Sequence, residues 1–204
     1  MSIVVRRTGQ DMRATEIKPK RHSVDVVLGH LGEIGPAVAA LRRESSRLAE
    51  WGEELARVKL RGGRIIAAGS EGSSHEADRF TAELAYHDAR NGGDGKSFTT
   101  ISAQSDQEGG SIAGQIAKQV RRGDIVVLFA SRGIADDLRE AAAAAKSAGA
   151  KVWALTGKES RELSQSVSEA IWINTDPPHA EEAHLVAVLT LCECFDESMR
   201  ELTK

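Results

Sequence analysis

The sequence predicts an α/β fold: a five-stranded parallel sheet flanked by helices on both faces in three layers, with an N-terminal helical arm. Three observations carry this. From Arg64 onward, short apolar runs alternate with stretches of helical period. The chain between successive runs is long enough for a crossover helix, which parallel neighbours require. And Ile125-Val126-Val127-Leu128-Phe129, after Asp124, is continuously apolar and rich in β-branched residues, the pattern of a central strand buried on both faces.

The elements follow in order. Residues 1–22 are basic (Arg6, Arg7, Arg13, Lys18, Lys20, Arg21), have no clear period and read as a flexible tail. Residues 23–60 read as the helical arm. Val24, Val27, Leu28 and Leu31 recur at helical spacing, and after Gly35-Pro36 the pattern resumes through Val38, Leu41, Leu48, Leu55 and Val58, giving two segments. An amphipathic arm gains little unless its stripe is buried, so it is expected to mediate oligomerisation. The remainder, 61–204, forms the core domain. Its strands are expected at 64–68, 97–102, 124–129, 151–155 and 171–173. Helices are expected at 73–90, 111–121, 135–148 and 180–202, the third alanine-rich and closed by Gly149.

Composition narrows the function classes. A chain of 204 residues suits one domain, and 41% apolar with 28% charged residues is ordinary for a globular protein. A net charge of -3 argues against a nucleic-acid-binding surface over the whole molecule. The sequence shows neither an apolar run of membrane-spanning length nor a secretory signal, so the expected compartment is the cytoplasm. Cys192 and Cys194 lie two apart in a helical pattern, point in different directions, and read as reduced packing residues.

Ligands of open parallel sheets sit beyond the carboxyl ends of the strands, where strand order reverses. That directs attention to loops 69–74, 102–110, 130–135 and 156–160. In the first, Ser70, Glu71 and Ser73 stand among glycines that let backbone amides approach an anion, although the same residues serve a tight capped turn. In the third, Ser131, Arg132 and Gly133 open a helix; Arg132 either grips a phosphate or pairs with Asp136 or Asp137. Glu83 and His87 share a helix face with His75 and Arg79. Glu181, His184 and His179 form a second polar cluster at the start of the last helix.

Several segments together resemble the SIS (sugar isomerase) domain family, closest to phosphoheptose isomerases and their relative that associates with a replication initiator. They are Ile65-Ile66-Ala67-Ala68-Gly69-Ser70-Glu71-Gly72-Ser73, Ala77-Asp78-Arg79-Phe80-Thr81-Ala82-Glu83-Leu84, Ala148 to Lys158 and Glu181-Glu182-Ala183-His184. The resemblance covers nearly everything after the tail and implies a single SIS domain of flavodoxin-like layering. It also implies aldose–ketose isomerisation of sedoheptulose 7-phosphate or a similar sugar phosphate. Glu83 matches the family's catalytic, metal-binding glutamate. The family's metal-binding histidine falls at Arg79, its metal-binding glutamine at Glu181 and its second catalytic histidine at Leu189. The phosphate loop, normally rich in serine, reads Ala130-Ser131-Arg132-Gly133-Ile134-Ala135, and segment 102–110 is short against the family.

On this reading the candidate catalytic residues are Glu83 and His184, and the candidate substrate-binding residues are Ser70, Glu71, Ser73, Ser131, Arg132 and Gly133. A rearranged zinc site is expected from Glu83, His87, Glu181 and His184, since carboxylate and imidazole suit that ion. The expected partners are a sugar phosphate and further copies of the chain, as a homodimer or homotetramer. The alternative is a catalytically silent sensor or scaffold, favoured by the replaced histidine positions. A transcription regulator would need a separate DNA-binding domain, and the arm is too short and, between Glu33 and Glu54, too acidic for that.

Overall fold

A computed structural model gives the structure of residues 21–69, 72–101, 110–133 and 135–204. The chain runs α1 (Arg21–Arg43), α2 (Ser45–Leu60), β1 (Ile65–Gly69), α3 (Ser74–Arg90), β2 (Phe98–Ile101), α4 (Ile112–Gln119), β3 (Ile125–Ala130), α5 (Asp136–Ser147), β4 (Lys151–Thr156), α6 (Leu163–Ser166), β5 (Glu169–Trp172) and α7 (Pro177–Leu202). The five strands form one all-parallel sheet in the order β2-β1-β3-β4-β5. Strand order reverses between β1 and β3, which places the expected ligand crevice at their carboxyl ends.

Alternation of side chains along each strand divides the core into two layers. Ile65, Ala67, Val127, Phe129, Trp153 and Leu155 face one side and pack with α2, α3 and α7. Ile66, Ala68, Val126, Leu128, Val152 and Ala154 face the other and pack with α4 and α5. On the first face Trp51 of α2 stacks on Trp153 of β4 with ring centroids 4.5 Å apart. The Trp51 indole N–H donates to Glu169 on β5 at 3.0 Å, so the ring's one polar atom is satisfied where it leaves the core.

Two features of the helices differ from the sequence expectation. The expected break at Gly35-Pro36 is absent: α1 continues through Pro36, and the two helical segments part at Glu44. A proline removes one helical N–H without forcing a stop when the rest of the apolar stripe still has a surface to cover, and here Ala37 and Leu41 are buried just beyond it. The first half of α1 is different, since Val24, Val27, Leu28 and Leu31 are exposed. Among the described residues α1 is also the one helix long and apolar enough, by length and composition, to cross a membrane, although Asp25, His30 and Glu33 interrupt it. The short helix α6 was not anticipated; four residues carry no usable period. The expected tail lies almost wholly outside the described residues.

Candidate functional site

The crevice begins with a backbone constraint. A side chain on Gly69 would place its Cβ 2.2 Å from the Ser73 carbonyl oxygen, so only glycine permits the turn that carries β1 into α3. Gly72 lies against the Arg132 side chain, where a Cβ would be 3.0 Å from Arg132 Cδ. The β1–α3 and β3–α5 loops are therefore in contact. Hydrogen bonds fasten them: Ser131 N–H donates to Ser73 Oγ at 2.9 Å, and the two hydroxyls lie 2.7 Å apart.

Behind this junction is a buried polar network. Glu76, one turn into α3, receives Ser131 Oγ–H on Oε2 at 3.3 Å and lies 2.7 Å from His184 Nδ1 through Oε1. With Nδ1 protonated, both oxygens of the carboxylate are satisfied, as a buried carboxylate requires. The other ring nitrogen of His184, Nε2, is buried without a hydrogen-bond partner among the described residues, and the imidazole meets the Phe129 ring edge-on with centroids 6.4 Å apart.

Helices α3 and α7 run side by side in the same direction, Glu76 meeting His184 near their starts and Asn91, which caps α3, meeting Asp196 further along. Between them opens a cleft of about 490 Å³ lined by His75, Glu76, Arg79, Glu181, Glu182, Leu185 and Val188. Its cations are each held by a carboxylate. Arg79 pairs with Glu83 at 2.5 Å, and Arg132 at the rim pairs with Glu181, a bond that raises Arg132 further above its already high ordinary value. The cleft thus combines the carboxylates of Glu76, Glu181 and Glu182, the Arg79 guanidinium and an apolar wall from α7, with Glu83 and Arg132 reached through their ion pairs with lining residues. This combination can orient a polyhydroxylated anion and move a proton.

The SIS domain family matches residues 96–195. A phosphoheptose isomerase of Streptomyces coelicolor is 33% identical over 187 residues, an alignment covering 85% of this chain and 79% of that protein. The chain belongs to the phosphoheptose isomerase family. The solved structure of a phosphoheptose isomerase from Francisella tularensis superposes with a TM-score of 0.71 at 20% identity, covering 86% of this chain and 98% of that one. The Vibrio vulnificus NanR protein complexed with ManNAc-6P shares the fold with a TM-score of 0.51 at 20% identity, over 90% of this chain and 72% of that one.

Against that family background the expected site residues separate into groups. Glu83 is half-buried on the cleft side of α3 beside Arg79. Arg132 and Gly133 are exposed at the β3–α5 loop, where Gly133 N–H donates to Glu159 at 2.8 Å and Ser160 Oγ–H donates to the Gly133 carbonyl at 2.7 Å. Ser73 and Ser131 are fully buried. Their hydroxyls are used on each other and on Glu76, which joins the two loops. Ser70 and Glu71 lie outside the described residues. His184 is fully buried behind Glu76 and bonds that carboxylate from the core side.

The expected zinc quartet is not assembled. Glu181 is engaged by Arg132, His184 by Glu76 and Glu83 by Arg79, while His87 sits farther along α3, 3.6 Å from Asp196. The family's own metal fits no better, because a guanidinium stands at Arg79, the place of its metal-binding histidine, and cannot ligate a cation. Among the described residues the group of three or more ligating side chains drawn within 4.8 Å is instead His30, His179 and Glu182.

Sequence reasoning missed Glu76. The available signal was its position seven residues before Glu83, on the same helical stripe. It missed His30 as well, whose partners lie in α7 more than a hundred residues away.

Proposed function

We propose that this chain binds a sugar phosphate in the α3–α7 cleft and interconverts its aldose and ketose forms, with sedoheptulose 7-phosphate the first substrate to test. The observation that carries this reading is Arg79 in the lining of the α3–α7 cleft with Glu83 paired to it one turn along the helix, in a chain of the phosphoheptose isomerase family. Glu83 takes a proton from the carbon next to the carbonyl, giving an enediol, and returns it to the neighbouring carbon. A second proton moves between the two oxygens, so atoms balance and no oxidant is required. Arg79 supplies fixed positive charge where the enediolate oxygen develops. Glu76, held by His184 and Ser131, is placed to bond the sugar hydroxyls. The phosphate takes Arg132 from Glu181 and gains a bidentate partner.

The experiment is conversion of sedoheptulose 7-phosphate by the purified full-length chain, followed by NMR. Glu83→Gln is expected to lower turnover by about 10²–10⁴-fold, the range for removing a general base. Undiminished turnover in that variant would refute the assignment of the base.

Arg79 and Leu189 favour a second reading, a sensor that binds a sugar phosphate without turning it over. The NanR protein of Vibrio vulnificus, complexed with ManNAc-6P, has the same fold. That reading predicts thermal stabilisation by the ligand, since a molecule that binds only the folded state raises apparent stability, with no conversion. For assembly, the exposed Val24, Val27, Leu28 and Leu31 of α1 and the exposed Leu185, Val186 and Leu189 of α7 support a homodimer or homotetramer buried through the arm and last helix. The cytoplasm is the compartment consistent with such a substrate.

A further inference from the structure

Helices α1 and α7 each carry a His-x-x-Glu pair, His30 with Glu33 and His179 with Glu182, so each pair shares a helix face. The fold sets the two faces against each other. His30 Nε2 lies 2.6 Å from Glu182 Oε1, and His179 Nδ1 lies 3.0 Å from Glu182 Oε2. The two imidazole rings are 4.9 Å apart, tilted at 54°. On its other side His179 Nε2 lies 2.9 Å from Glu33 Oε2. One ligating atom from each of His30, His179 and Glu182 falls within 4.8 Å of the others.

The geometry points to a divalent-cation site, most suited to zinc, formed by His30 Nε2, His179 Nδ1 and a Glu182 carboxylate oxygen, with Glu33 as the outer carboxylate that orients His179. Donors around a tetrahedral zinc lie roughly 3.3 Å apart, given metal–ligand distances of about 2.0–2.2 Å. Each histidine nitrogen is already within 1 Å of that separation from one oxygen of the Glu182 carboxylate, His30 Nε2 from Oε1 and His179 Nδ1 from Oε2, and all three donors lie within 4.8 Å of one another. Neutral imidazole and carboxylate are borderline ligands that suit zinc over magnesium or calcium. The Glu33–His179 contact is the second feature of such a centre: a ligating histidine donates its far N–H to a carboxylate, which fixes the tautomer and makes the near nitrogen a stronger ligand. His30 is half-exposed and opens the cluster to solvent, while His179 is nearly buried.

The site is separate from the isomerase residues. None of its three ligands is an assigned acid, base or phosphate partner, and it joins two helices far apart in sequence. Its occupation fastens the otherwise weakly buried first half of α1 to the start of α7, beside the cleft that Glu182 also lines. Three protein ligands leave a fourth position for water or for an oxygen from a molecule in the cleft.

The test is zinc titration by calorimetry of the EDTA-treated, gel-filtered full-length chain, with cobalt(II) as a spectroscopic stand-in. The expected result is one zinc per chain at micromolar Kd or tighter, with tetrahedral cobalt absorption. His30→Ala, on an exposed position, should weaken binding at least tenfold with an unchanged circular dichroism spectrum. Glu33→Gln should weaken it by about 10–100-fold, the usual effect of removing an outer-shell partner. Glu83→Gln should leave it unchanged. Absence of one-to-one binding would overturn the proposal, and so would affinity that survives His30→Ala and Glu182→Gln. Because the readout is metal binding, a chain inactive toward sugar phosphates tests the proposal equally well.

Discussion

Separating Glu76 from His184 should cost far more than either side chain's area implies. Glu76 is 5% exposed and His184 is fully buried, their contact is 2.7 Å, and among the described residues only Ser131, at 3.3 Å, also donates to the carboxylate. Glu76→Ala strands the imidazole, and His184→Ala strands the carboxylate with one weak donor left. Hydrogen bonds to charged groups are worth about 1.5–3 kcal/mol, and leaving a buried charged partner unsatisfied costs at least as much. Each single variant should therefore lose about 3–5 kcal/mol, in the range of a broken buried pair. The double variant removes both polar groups together and escapes that stranding penalty. Its loss should fall short of the sum by about 1.5–3 kcal/mol. Urea unfolding of the four proteins of the cycle, compared at constant m, measures this coupling. Additivity within about 0.5 kcal/mol would show that the pair does not hold the cleft and would refute the positioning role given to His184.

Other sites yield narrower expectations. Burial pushes the Asp196 carboxyl up, but the hydrogen bond from Asn91 and the charges of Arg200 and His87 outweigh it and hold it below its ordinary value. A folded-state pKa that is depressed contributes stability above the unfolded value, and that contribution is lost as pH falls through the folded one. Asp196→Asn should thus lower the urea midpoint at neutral pH, and the difference from the parent should fade as pH drops below the ordinary aspartate value of 3.8; a constant difference across that window would contradict the sign. Gly52 is where α2 crosses α7: an added Cβ would lie 2.3 Å from Cys194 Cβ and 3.1 Å from backbone atoms of Cys194 and Phe195. Gly52→Ala should destabilise by about 1–3 kcal/mol, the usual cost of overpacking, and a thermal scan should fall by about 2–4 °C for each kcal/mol. An unchanged midpoint would mean the helices have room to separate.

The sheet was legible in the sequence because its signals are local. Ile125 to Phe129 is apolar at every position, and a strand buried on both faces requires that. The strands of the sequence reading agree with those observed to within two residues, and the helices after β1 to within three. The arm was read less well. Gly35-Pro36 is a local stop signal that the burial of Ala37 and Leu41 overrides, and such overrides come from tertiary packing that no window of sequence contains. Of the candidate site, Glu83 was singled out by its helical spacing and the family resemblance, and Arg132 by its loop after the central strand. The loop link made by Ser73 and Ser131 was not legible, because a serine that binds an anion and one that ties two loops together occupy the same turn with the same spacing. The burial of His184 was not legible for a related reason: helical periodicity puts it beside Glu181, yet only the packing of α7 on α3 decides which of the two faces the cleft. The His30, His179 and Glu182 group depends on α1 meeting α7, a long-range contact with no local trace beyond the repeated His-x-x-Glu spacing.

Isomerisation in deuterium oxide tests the central claim most directly. With sedoheptulose 7-phosphate and the full-length chain, a carboxylate that shuttles a proton between neighbouring carbons will exchange some of it with solvent. The account predicts conversion with deuterium appearing at the reacting carbon, both strongly reduced in Glu83→Gln while thermal stabilisation by the sugar phosphate persists. Stabilisation of the parent protein with neither conversion nor exchange would contradict it and leave a sugar-phosphate binder without the chemistry.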